Sequence, residues 1–333
     1  MNKSDKIYVA GHRGLAGSAL VRRLTADGYS NVVTRTHAEL ELTDQLAVQR
    51  FFDTERPAHV FLAAARVGGI HANDTYPADF ILQNLAIEHN VIDAAWRHGV
   101  QRLLFLGSSC IYPRDCPQPI SESYLLTGPL EPTNRPYAIA KIAGIEMCWS
   151  LNRQHHTRFL TAMPTNLYGP GDNYDLQTSH VLPALIRRIH EGKTHGSREV
   201  AIWGTGVARR EFLYSDDMAD ACLLLMQLPA AQFTALINPA PADWSQPPLI
   251  NIGCGEDLTV RELAHTIAGV IGYAGKIATD PGKPDGTPRK LLDVSRMHEL
   301  GWRPRVNLKE GIALAYRDYL GTLPGTGQLT SDK

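Results

Sequence analysis

The sequence predicts an α/β protein in which a doubly wound parallel sheet is followed by a smaller, discontinuous C-terminal domain. Short apolar runs alternate with helix-like stretches through the first half of the 333 residues, and a glycine-rich turn directly follows the first run. Strands that alternate with helices form parallel sheets covered on both faces, with right-handed crossovers. After about Gly169 this alternation ends, and helical segments are separated by glycine, proline and polar residues.

The predicted elements follow this alternation in order. Strands are predicted at residues 6–10, 31–35, 59–64, 102–106 and 158–163. Helices are predicted from the glycine turn to about residue 27, and then at residues 44–52, 78–98 and 136–154. The second half is expected to contain helices at residues 181–191, 216–227, 260–271 and 308–319. Residues 239–248 are rich in Pro and Ala, and residues 280–288 contain three prolines and two glycines, so both segments are expected to be loops.

These elements predict two domains and a tail. Residues 1–168 form the first domain, and parts of residues 210–255 are expected to return to it. Residues 169–322 form most of the second domain. Residues 323–333 are expected to be a flexible tail.

The composition is that of an ordinary globular protein, and it excludes several classes. Apolar residues make up 44% and charged residues 20%, and the net charge is -1. This balance gives no basic field for nucleic acid or an anionic membrane, and no apolar run approaches the ~20 residues of a membrane span. The five cysteines are scattered, and no signal sequence precedes the first predicted strand. We therefore expect a cytoplasmic protein with no metal site and no nucleic-acid or membrane partner.

A glycine-rich turn follows the first predicted strand directly and opens the first helix. Its spacing is G-x-x-G-x-x-G, and its residues are Gly11, His12, Arg13, Gly14, Leu15, Ala16 and Gly17. Missing side chains let the backbone approach a pyrophosphate, and the helix N-terminus offers free N–H groups with a partial positive charge. At this position in a Rossmann-like sheet, the motif predicts a dinucleotide site.

The end of the second predicted strand indicates which dinucleotide is bound. NAD-binding proteins usually place a carboxylate there for the ribose 2′-hydroxyl. This sequence has Arg35 and His37 instead, and Arg13 lies nearby in the glycine turn. Cations at this position suit a 2′-phosphate, so we expect NADP(H) as the cofactor. Asp44 either touches the adenine edge or caps the next helix.

A tyrosine and a lysine four residues apart give a second functional signal. On a helix, Tyr137 and Lys141 share a face. The lysine charge is expected to lower the pKa of the tyrosine, so that the phenol exchanges protons near neutral pH, and the lysine can also bind the nicotinamide ribose. Ser108 follows the fourth predicted strand, at the edge where doubly wound sheets bind ligands, and its hydroxyl can hydrogen-bond a substrate carbonyl.

The glycine turn, the serine, the tyrosine and the lysine, in this order, resemble the extended short-chain dehydrogenase/reductase family. Ten segments over nearly the whole chain carry the resemblance: GHRGLAGSA (11–19), AAARVGGI (63–70), TYPADFI (75–81), LGSSCIYP (106–113), EPTNRPYAIAKIAG (131–144), MPTNLYGP (163–170), SHVLPALIRR (179–188), WGTG (203–206), RREFLYSDDMA (209–219) and KPDGTPRKLLDV (283–294). SSCIYP, NRPYAIAK and KPDGTPRK are typical of a branch that acts on a GDP-linked sugar rather than of the wider family.

The resemblance implies a substrate and a set of residue roles. The substrate would be the GDP-linked 4-keto-6-deoxy sugar GDP-4-keto-6-deoxy-D-mannose, epimerised at C3 and C5 and then reduced at C4 with NADPH. Ser108, Tyr137 and Lys141 would be the reductase triad, and Cys110 and His180 would be the acid/base pair of the epimerisation. The cofactor would also contact His180, Pro164, Thr165, Asn166 and Leu167. The nucleotide-sugar would be held by Arg188, Trp203, Arg210, Asp285 and Lys290.

The resemblance also bears on assembly and on cofactor binding. It implies a homodimer formed through the helices at residues 78–98 and 136–154. The sequence departs from this branch at His37, where an arginine is typical. Arg13 and Arg35 then remain as the predicted ligands of the 2′-phosphate.

Two other functions stay open at this point. One is a 4-epimerase or a dehydratase that acts on a UDP- or dTDP-sugar, although a dehydratase would carry an Asp-Glu pair where Cys110-Ile111 stands. The other is a non-catalytic redox sensor that binds NADP(H) and regulates a partner. The retained serine, tyrosine and lysine argue against a sensor, and a turnover assay with nucleotide-sugars distinguishes all three.

Overall fold

The computed structural model describes residues 1–238, 248–283 and 285–323. Within these ranges the strands are β1 (Ile7–Ala10), β2 (Val32–Val33), β3 (His59–Leu62), β4 (Arg102–Leu106), β5 (Phe159–Pro164), β6 (Asn166–Tyr168), β7 (Glu199–Trp203), β8 (Arg209–Tyr214), β9 (Leu249–Ile252), β10 (Asp257–Thr259), β11 (Lys276–Asp280) and β12 (Arg289–Lys290). The helices are α1 (Leu15–Ala26), α2 (Gln45–Glu55), α3 (Ile70–Thr75), α4 (Pro77–Arg97), α5 (Arg135–His155), α6 (Val181–Thr194), α7 (Ser215–Gln227), α8 (Ala230–Ile237), α9 (Val260–Ile271), α10 (Ser295–Glu299) and α11 (Leu308–Thr322). Two short 3₁₀ helices cover Ser109–Ile111 and Glu122–Tyr124.

Six strands form a parallel sheet in the order β2-β1-β3-β4-β5-β9. Successive side chains of a strand point to opposite faces, and both faces are apolar here. In β1, Ile7 and Val9 belong to the core covered by α1 and α7, whereas Tyr8 and Ala10 belong to the core covered by α4 and α5. The predicted doubly wound α/β fold is confirmed, and the carboxyl ends of its strands meet along one edge.

The second region surrounds an apolar core of its own. In it β8 pairs with β6, β10 and β12, β7 pairs with β11, and α6, α9 and α11 supply most of the buried side chains. The chain returns to the first sheet between these elements, because β9 pairs with β5 and α7 packs against α1. This return makes the C-terminal region discontinuous in sequence, as the fold prediction states.

The seven strands from β6 to β12 were not predicted from the sequence. Exposed and buried residues alternate along β7, and β8 begins with Arg209 and Arg210, so neither has the apolar run of a fully buried strand. The second predicted strand, at residues 31–35, is reduced to Val32–Val33. Residues 281–283 and 285–288 form no regular element, in agreement with the predicted loop. The predicted loop at 239–248 and the predicted tail fall almost entirely on residues 239–247 and 324–333, outside the described residues.

Among the described residues, no single helix is both long enough and apolar enough to cross a membrane. The helices α7 and α8 meet the length and composition of a span only when they are counted together, and they are bent by 105° relative to each other.

Candidate active site

A cavity of about 1180 Å³ lies at the carboxyl ends of β1, β4 and β5 and extends into the second region. It brings most predicted site residues together, because the carboxyl ends of parallel strands meet at one edge of the sheet. From the first half, the lining includes Gly11, Arg13, Gly14, Leu15, Ala16, Gly17, Arg35, His37, Ser108, Cys110, Tyr137, Lys141, Pro164, Thr165, Asn166 and Leu167. From the second half, it includes His180, Arg188, Trp203, Arg210, Asp285 and Lys290. Two predicted cofactor ligands, His12 and Asp44, do not belong to this lining.

The glycine turn is shaped to hold a pyrophosphate against the backbone. Gly11 has a φ of 85°, and a Cβ atom there would lie 2.7 Å from the backbone of Ala64. A Cβ atom on Gly17 would lie 2.1 Å from the carbonyl oxygen of Gly11, so only glycine allows this close packing. Gly14 is the N-cap of α1, and the first turn of this helix contains no acidic residue. The N–H groups at this helix end carry a partial positive charge and fit the pyrophosphate of a dinucleotide.

The cations predicted to bind a 2′-phosphate are partly engaged by acidic side chains. Arg35 forms an ion pair with Glu55. The ring of His37 is exposed, and its Nε2 lies 2.8 Å from Oε2 of Glu41. Arg13, in the glycine turn, also lines the cavity. Two of the three predicted ligands of a 2′-phosphate, Arg35 and His37, therefore already contact a carboxylate.

Asp44 has the capping role, which is one of the two roles that the sequence left open. Its Oδ1 accepts a hydrogen bond from the backbone N–H of Ala47 at 3.0 Å, at the N-cap of α2. This capping carboxylate lies outside the cavity lining, and its contact with the adenine edge stays a prediction. His12 belongs to the glycine turn but likewise contributes nothing to the lining.

Lys141 is buried between two acceptors. Its ammonium donates to the carbonyl oxygen of Leu106 at 3.1 Å and lies 3.2 Å from Oε1 of Glu88. The distance from its Nζ to the ring centroid of Tyr137 is 5.9 Å. Glu88 is fully buried in α4 and was not among the predicted site residues. The charge of the predicted catalytic lysine is therefore balanced by a buried carboxylate.

The pKa of Tyr137 is raised in this structure. Burial is the largest cause, the neighbouring Cys110 and Glu88 add to it, and a hydrogen bond with Ser108 opposes it. The prediction that Lys141 lowers this pKa is wrong for this structure, because burial raises it and the nearby Cys110 and Glu88 add to the rise. A phenol with a raised pKa keeps its proton at neutral pH.

The thiol of Cys110 faces two hydrogen-bond donors. Its Sγ accepts from Nδ2 of Asn134 at 3.3 Å and from Nζ of Lys290 at 3.4 Å. Donors of this kind stabilise a thiolate. Lys290 therefore contacts the predicted base directly, in addition to lining the cavity. Sequence reasoning missed Asn134, although this residue begins the NRPYAIAK segment that carries the resemblance.

His180 is the N-cap of α6 and lies in the same cavity. Desolvation by the protein atoms around it in the cavity lowers its pKa, and the positive charge of Lys290 lowers the pKa further. Near pH 7 the imidazole is therefore mostly neutral. An anion that binds beside Lys290 would oppose this second effect and favour the protonated imidazole.

The predicted nucleotide-sugar ligands form contacts with one another. The guanidinium of Arg188 lies 4.9 Å from the ring centroid of Trp203. Arg210 donates to the backbone carbonyl oxygen of Asp285 at 3.2 Å. The carboxylate of Asp285 accepts from the backbone N–H of Thr205 at 2.8 Å and from its hydroxyl at 2.9 Å. Arg188 and Trp203 thus offer a cation and an aromatic face to a ligand, whereas the Asp285 carboxylate holds the turn after β7.

Glu211 connects the two sides of the cavity, and sequence analysis missed it. Its buried carboxylate accepts from the backbone N–H groups of Gly255 at 2.7 Å and Leu292 at 3.0 Å. Its backbone carbonyl oxygen accepts from the side chains of Thr165 at 3.3 Å and Asn166 at 2.8 Å. Two predicted cofactor residues are thereby tied to β8, the strand that carries a predicted substrate ligand.

We expect Glu211→Leu to lower the free energy of unfolding by about 2–4 kcal/mol, because two backbone N–H groups lose their acceptor. Urea unfolding followed by circular dichroism measures this change. Glu211→Gln keeps one acceptor oxygen and is expected to lose less. A leucine variant as stable as the wild type would contradict this account of Glu211.

The fold and the site together define a class of protein. A dinucleotide-binding turn, a serine and a Y-x-x-x-K pair open into one cavity at the carboxyl edge of a parallel sheet. This is the arrangement of a nicotinamide-dependent oxidoreductase of the short-chain type. A model of the NAD dependent epimerase/dehydratase family matches residues 7–237, and the chain belongs to this family.

Within this family, the chain is similar to individual relatives and solved structures. The chain is 55% identical over 320 residues to a putative GDP-L-fucose synthase 2 of Arabidopsis thaliana, covering 96% of this chain and 93% of the relative. It is 54% identical to the GDP-L-fucose synthase of Escherichia coli (strain K12), covering 95% of this chain and 97% of the relative. A GDP-mannoheptose C4 reductase from Campylobacter jejuni, solved with NADP bound, matches with a TM-score of 0.86 at 39% identity, covering 96% of this chain and 99% of that one.

Proposed function

We propose that this protein converts GDP-4-keto-6-deoxy-D-mannose to GDP-L-fucose by 3,5-epimerisation and a subsequent NADPH-dependent reduction of the 4-keto group. The observation that supports the proposal is that one cavity is lined by the residues that we assign to both steps: Ser108, Tyr137 and Lys141 to the reduction, and Cys110 and His180 to the epimerisation. The relatives named GDP-L-fucose synthase, at 54% and 55% identity over nearly the whole chain, support it.

NADP(H) fits the part of the cavity next to the first sheet. The glycine turn and the N-terminus of α1 would hold the pyrophosphate, and Arg13, Arg35 and His37 would face the 2′-phosphate. Residues 164–167 would line the nicotinamide, and Lys141 would bind its ribose. When bound, the reduced cofactor supplies the hydride.

In the reduction, this chain holds the carbonyl and supplies a proton. The hydroxyls of Ser108 and Tyr137 would hydrogen-bond the C4 oxygen and stabilise the negative charge that develops there. Because the pKa of Tyr137 is raised, its phenol is protonated at neutral pH and transfers the proton from Oη to the C4 oxygen. The ammonium of Lys141 would stabilise the phenolate that this transfer leaves behind.

In the epimerisation, the 4-keto group acidifies the protons on C3 and C5. The thiolate of Cys110, stabilised by Asn134 and Lys290, would remove each proton from one face of the ring. Protonated His180 would return a proton on the opposite face. Between the two inversions, the Cys110 thiol would release its proton to solvent and the His180 imidazole would take one up, which restores the pair for the second carbon. The diphosphate of the substrate would favour this protonated form by opposing the charge of Lys290. The hydroxyls that bind the C4 oxygen in the reduction would also stabilise the enolate.

We further propose a cytoplasmic homodimer with a two-domain protomer. Residues 1–168, with parts of 210–255, would form the NADP-binding domain, and residues 169–322 would form most of the substrate-binding domain. The helices α4 and α5 pack side by side, and each has an exposed apolar side chain, Leu82 at 66% and Ile139 at 42% exposure. Exposed apolar side chains on neighbouring helices support an interface between two copies.

The test of the function is NADPH oxidation with GDP-4-keto-6-deoxy-D-mannose, followed by identification of the product by NMR. We expect stoichiometric oxidation and a product inverted at C3 and C5. A product that keeps the original configuration at both carbons would reduce the proposal to a simple 4-ketoreductase. Oxidation that occurs only with another GDP-4-keto sugar would overturn the proposed substrate.

NADPH is expected to exceed NADH in kcat/KM by about tenfold or more, because hydrogen bonds from charged groups contribute ~1.5–3 kcal/mol each. Steady-state kinetics with both cofactors measure this preference. Arg13→Gln should lower kcat/KM for NADPH and leave the value for NADH unchanged. Equal values for the two cofactors in the wild type, or a preference for NADH, would refute the prediction.

A further inference from the structure

Glu88 places a buried carboxyl group directly behind the proposed reductase residues. It is fully buried in α4 and does not line the cavity, whereas its partner Lys141 does. Its Oε1 lies 3.2 Å from Nζ of Lys141. Apart from this ammonium, neither oxygen of the carboxyl group has a hydrogen-bonding partner in the described part of the chain. The pair therefore links α4, which carries no proposed catalytic residue, to α5, which carries two.

The helix α5 leaves space for this carboxyl group. A Cβ atom on Gly144 would lie 2.8 Å from Oε2 of Glu88 and 2.6 Å from the ring of Phe105. Gly144 lies three residues after Lys141, so the two positions share a face of the helix. Glycine in a helix interior is unfavourable relative to alanine. At this position it is the residue that admits the carboxyl group without a clash.

The acceptors around Lys141 fix where its charge lies. An ammonium has three N–H donors. One donates to the carbonyl oxygen of Leu106 at 3.1 Å, and a second faces Glu88. The third remains for a group in the cavity. Nζ lies 4.6 Å from the ring centroid of Phe105 and 5.9 Å from that of Tyr137.

We propose that Glu88 is a positioning residue of the reductase, whose carboxylate holds the Lys141 ammonium at the cavity wall and competes with Tyr137 for the charge of that ammonium. This inference rests on the proposed function. Within the described ranges, the titratable groups that act on Glu88 or respond to it are Lys141, Tyr137 and Cys148, all on α5. Cys110 acts on Tyr137 from the segment after β4.

The negative charge of Glu88 determines in which direction the pH dependence of the reduction would change. Burial raises the pKa of Glu88 to about 7, and Lys141 opposes this rise. The negative charge of Glu88 in turn raises the pKa of Tyr137. Reduction requires Tyr137 as a phenol and Lys141 as an ammonium. Without the negative charge of Glu88, the phenol of Tyr137 loses its proton more easily, so the competent form disappears at a lower pH.

The first test is the pH dependence of NADPH oxidation by Glu88→Gln in single turnovers with the GDP-4-keto sugar. Glutamine has nearly the same shape and retains an acceptor for Lys141. We expect the alkaline limb of the rate profile to move to lower pH by about one unit or more. Glu88→Asp keeps the charge and should keep the limb near the wild-type position. A glutamine variant whose limb coincides with that of the wild type would overturn the proposal, even if the variant were less stable.

Asn152→Ser is the matched control for a purely structural loss. Asn152 is buried in α5 outside the cavity lining, and it exchanges hydrogen bonds with the backbone of Phe159. This variant should lose stability without a shift of the alkaline limb. Turnover by the wild type tests the proposed function separately. The inference about Glu88 concerns only the difference in pH between the alkaline limbs of the variant and the wild type.

A second test needs no substrate and also covers a glutamine variant that does not fold. Glu88→Gln and Lys141→Met each leave one buried charge without its partner, whereas the double variant removes both charges. We expect the urea midpoint of the double variant to lie above the midpoints of both single variants. A variant that is unfolded without urea counts as having lost all of its stability. A double variant whose loss equals the sum of the two single losses would show that the groups are not coupled and would overturn the inference.

Discussion

Tyr137→Phe is expected to lower the rate of the NADPH-dependent reduction by at least ~10²-fold, which is the usual contribution of a positioned proton donor. The raised pKa of Tyr137 keeps its phenol protonated, and phenylalanine removes that proton. The aromatic ring, which packs edge-to-face against Phe80 with centroids 6.3 Å apart, is retained, so folding and NADPH binding should persist. Single-turnover rates measure the first effect, and fluorescence titration with NADPH measures the second.

Tyr273→Phe is a matched control for the loss of a buried hydroxyl. The Tyr273 hydroxyl donates to the backbone carbonyl oxygen of Ser197 at 3.0 Å, outside the cavity lining. We expect this variant to reduce its substrate at the wild-type rate. Wild-type reduction by Tyr137→Phe would remove Tyr137 from the mechanism and leave Ser108 as the proposed donor.

The parts of the fold that were predicted correctly are those in which local pattern and tertiary environment agree. Strands β1, β4 and β5 are apolar on both faces because helices cover both faces of the sheet, and such runs are visible in the sequence. β8 was missed because its first two residues are arginines, whose side chains donate to the Asp257 carboxylate and to the backbone carbonyl oxygen of Asp285 rather than pack in the core. Its pairing with three other strands is a long-range property that periodicity does not reveal.

In the candidate site, too, the residues placed by local sequence order were predicted, and those placed by long-range packing were not. Residues that follow the strands of a parallel sheet must gather at one edge, so the glycine turn and Ser108 could be placed together from their order alone. Glu88 and Glu211 could not, because a single glutamate in a helix or strand resembles a solvated charge until its packing partners are known. The error in the predicted pKa of Tyr137 has the same origin. The spacing of Tyr137 and Lys141 shows that they share a helix face, but it shows neither that the phenol is buried nor that a second helix brings a carboxylate near it.

Cys110→Ser is expected to slow the epimerisation by ~10²-fold or more while the reductase residues stay in place. A serine hydroxyl can keep the contacts with Asn134 and Lys290, but it is a much weaker acid than a thiol and does not form the anion that removes a proton. In deuterated water with oxidised cofactor, the wild type should exchange deuterium into both C3 and C5 of the keto sugar. NMR should show both exchanges abolished or greatly slowed in Cys110→Ser. His180→Gln should impair turnover of the epimerised species, because the proposed acid is then absent.

Cys116→Ser controls for the general loss of a thiol near this site. Cys116 is a partly exposed free cysteine six residues further along the chain, and it does not line the cavity. Its replacement should leave both exchange rates at the wild-type value. If Cys110→Ser exchanges C3 and C5 at the native rate, the base lies elsewhere. The donors at Sγ, Asn134 and Lys290, would then serve to bind the substrate rather than to stabilise a thiolate.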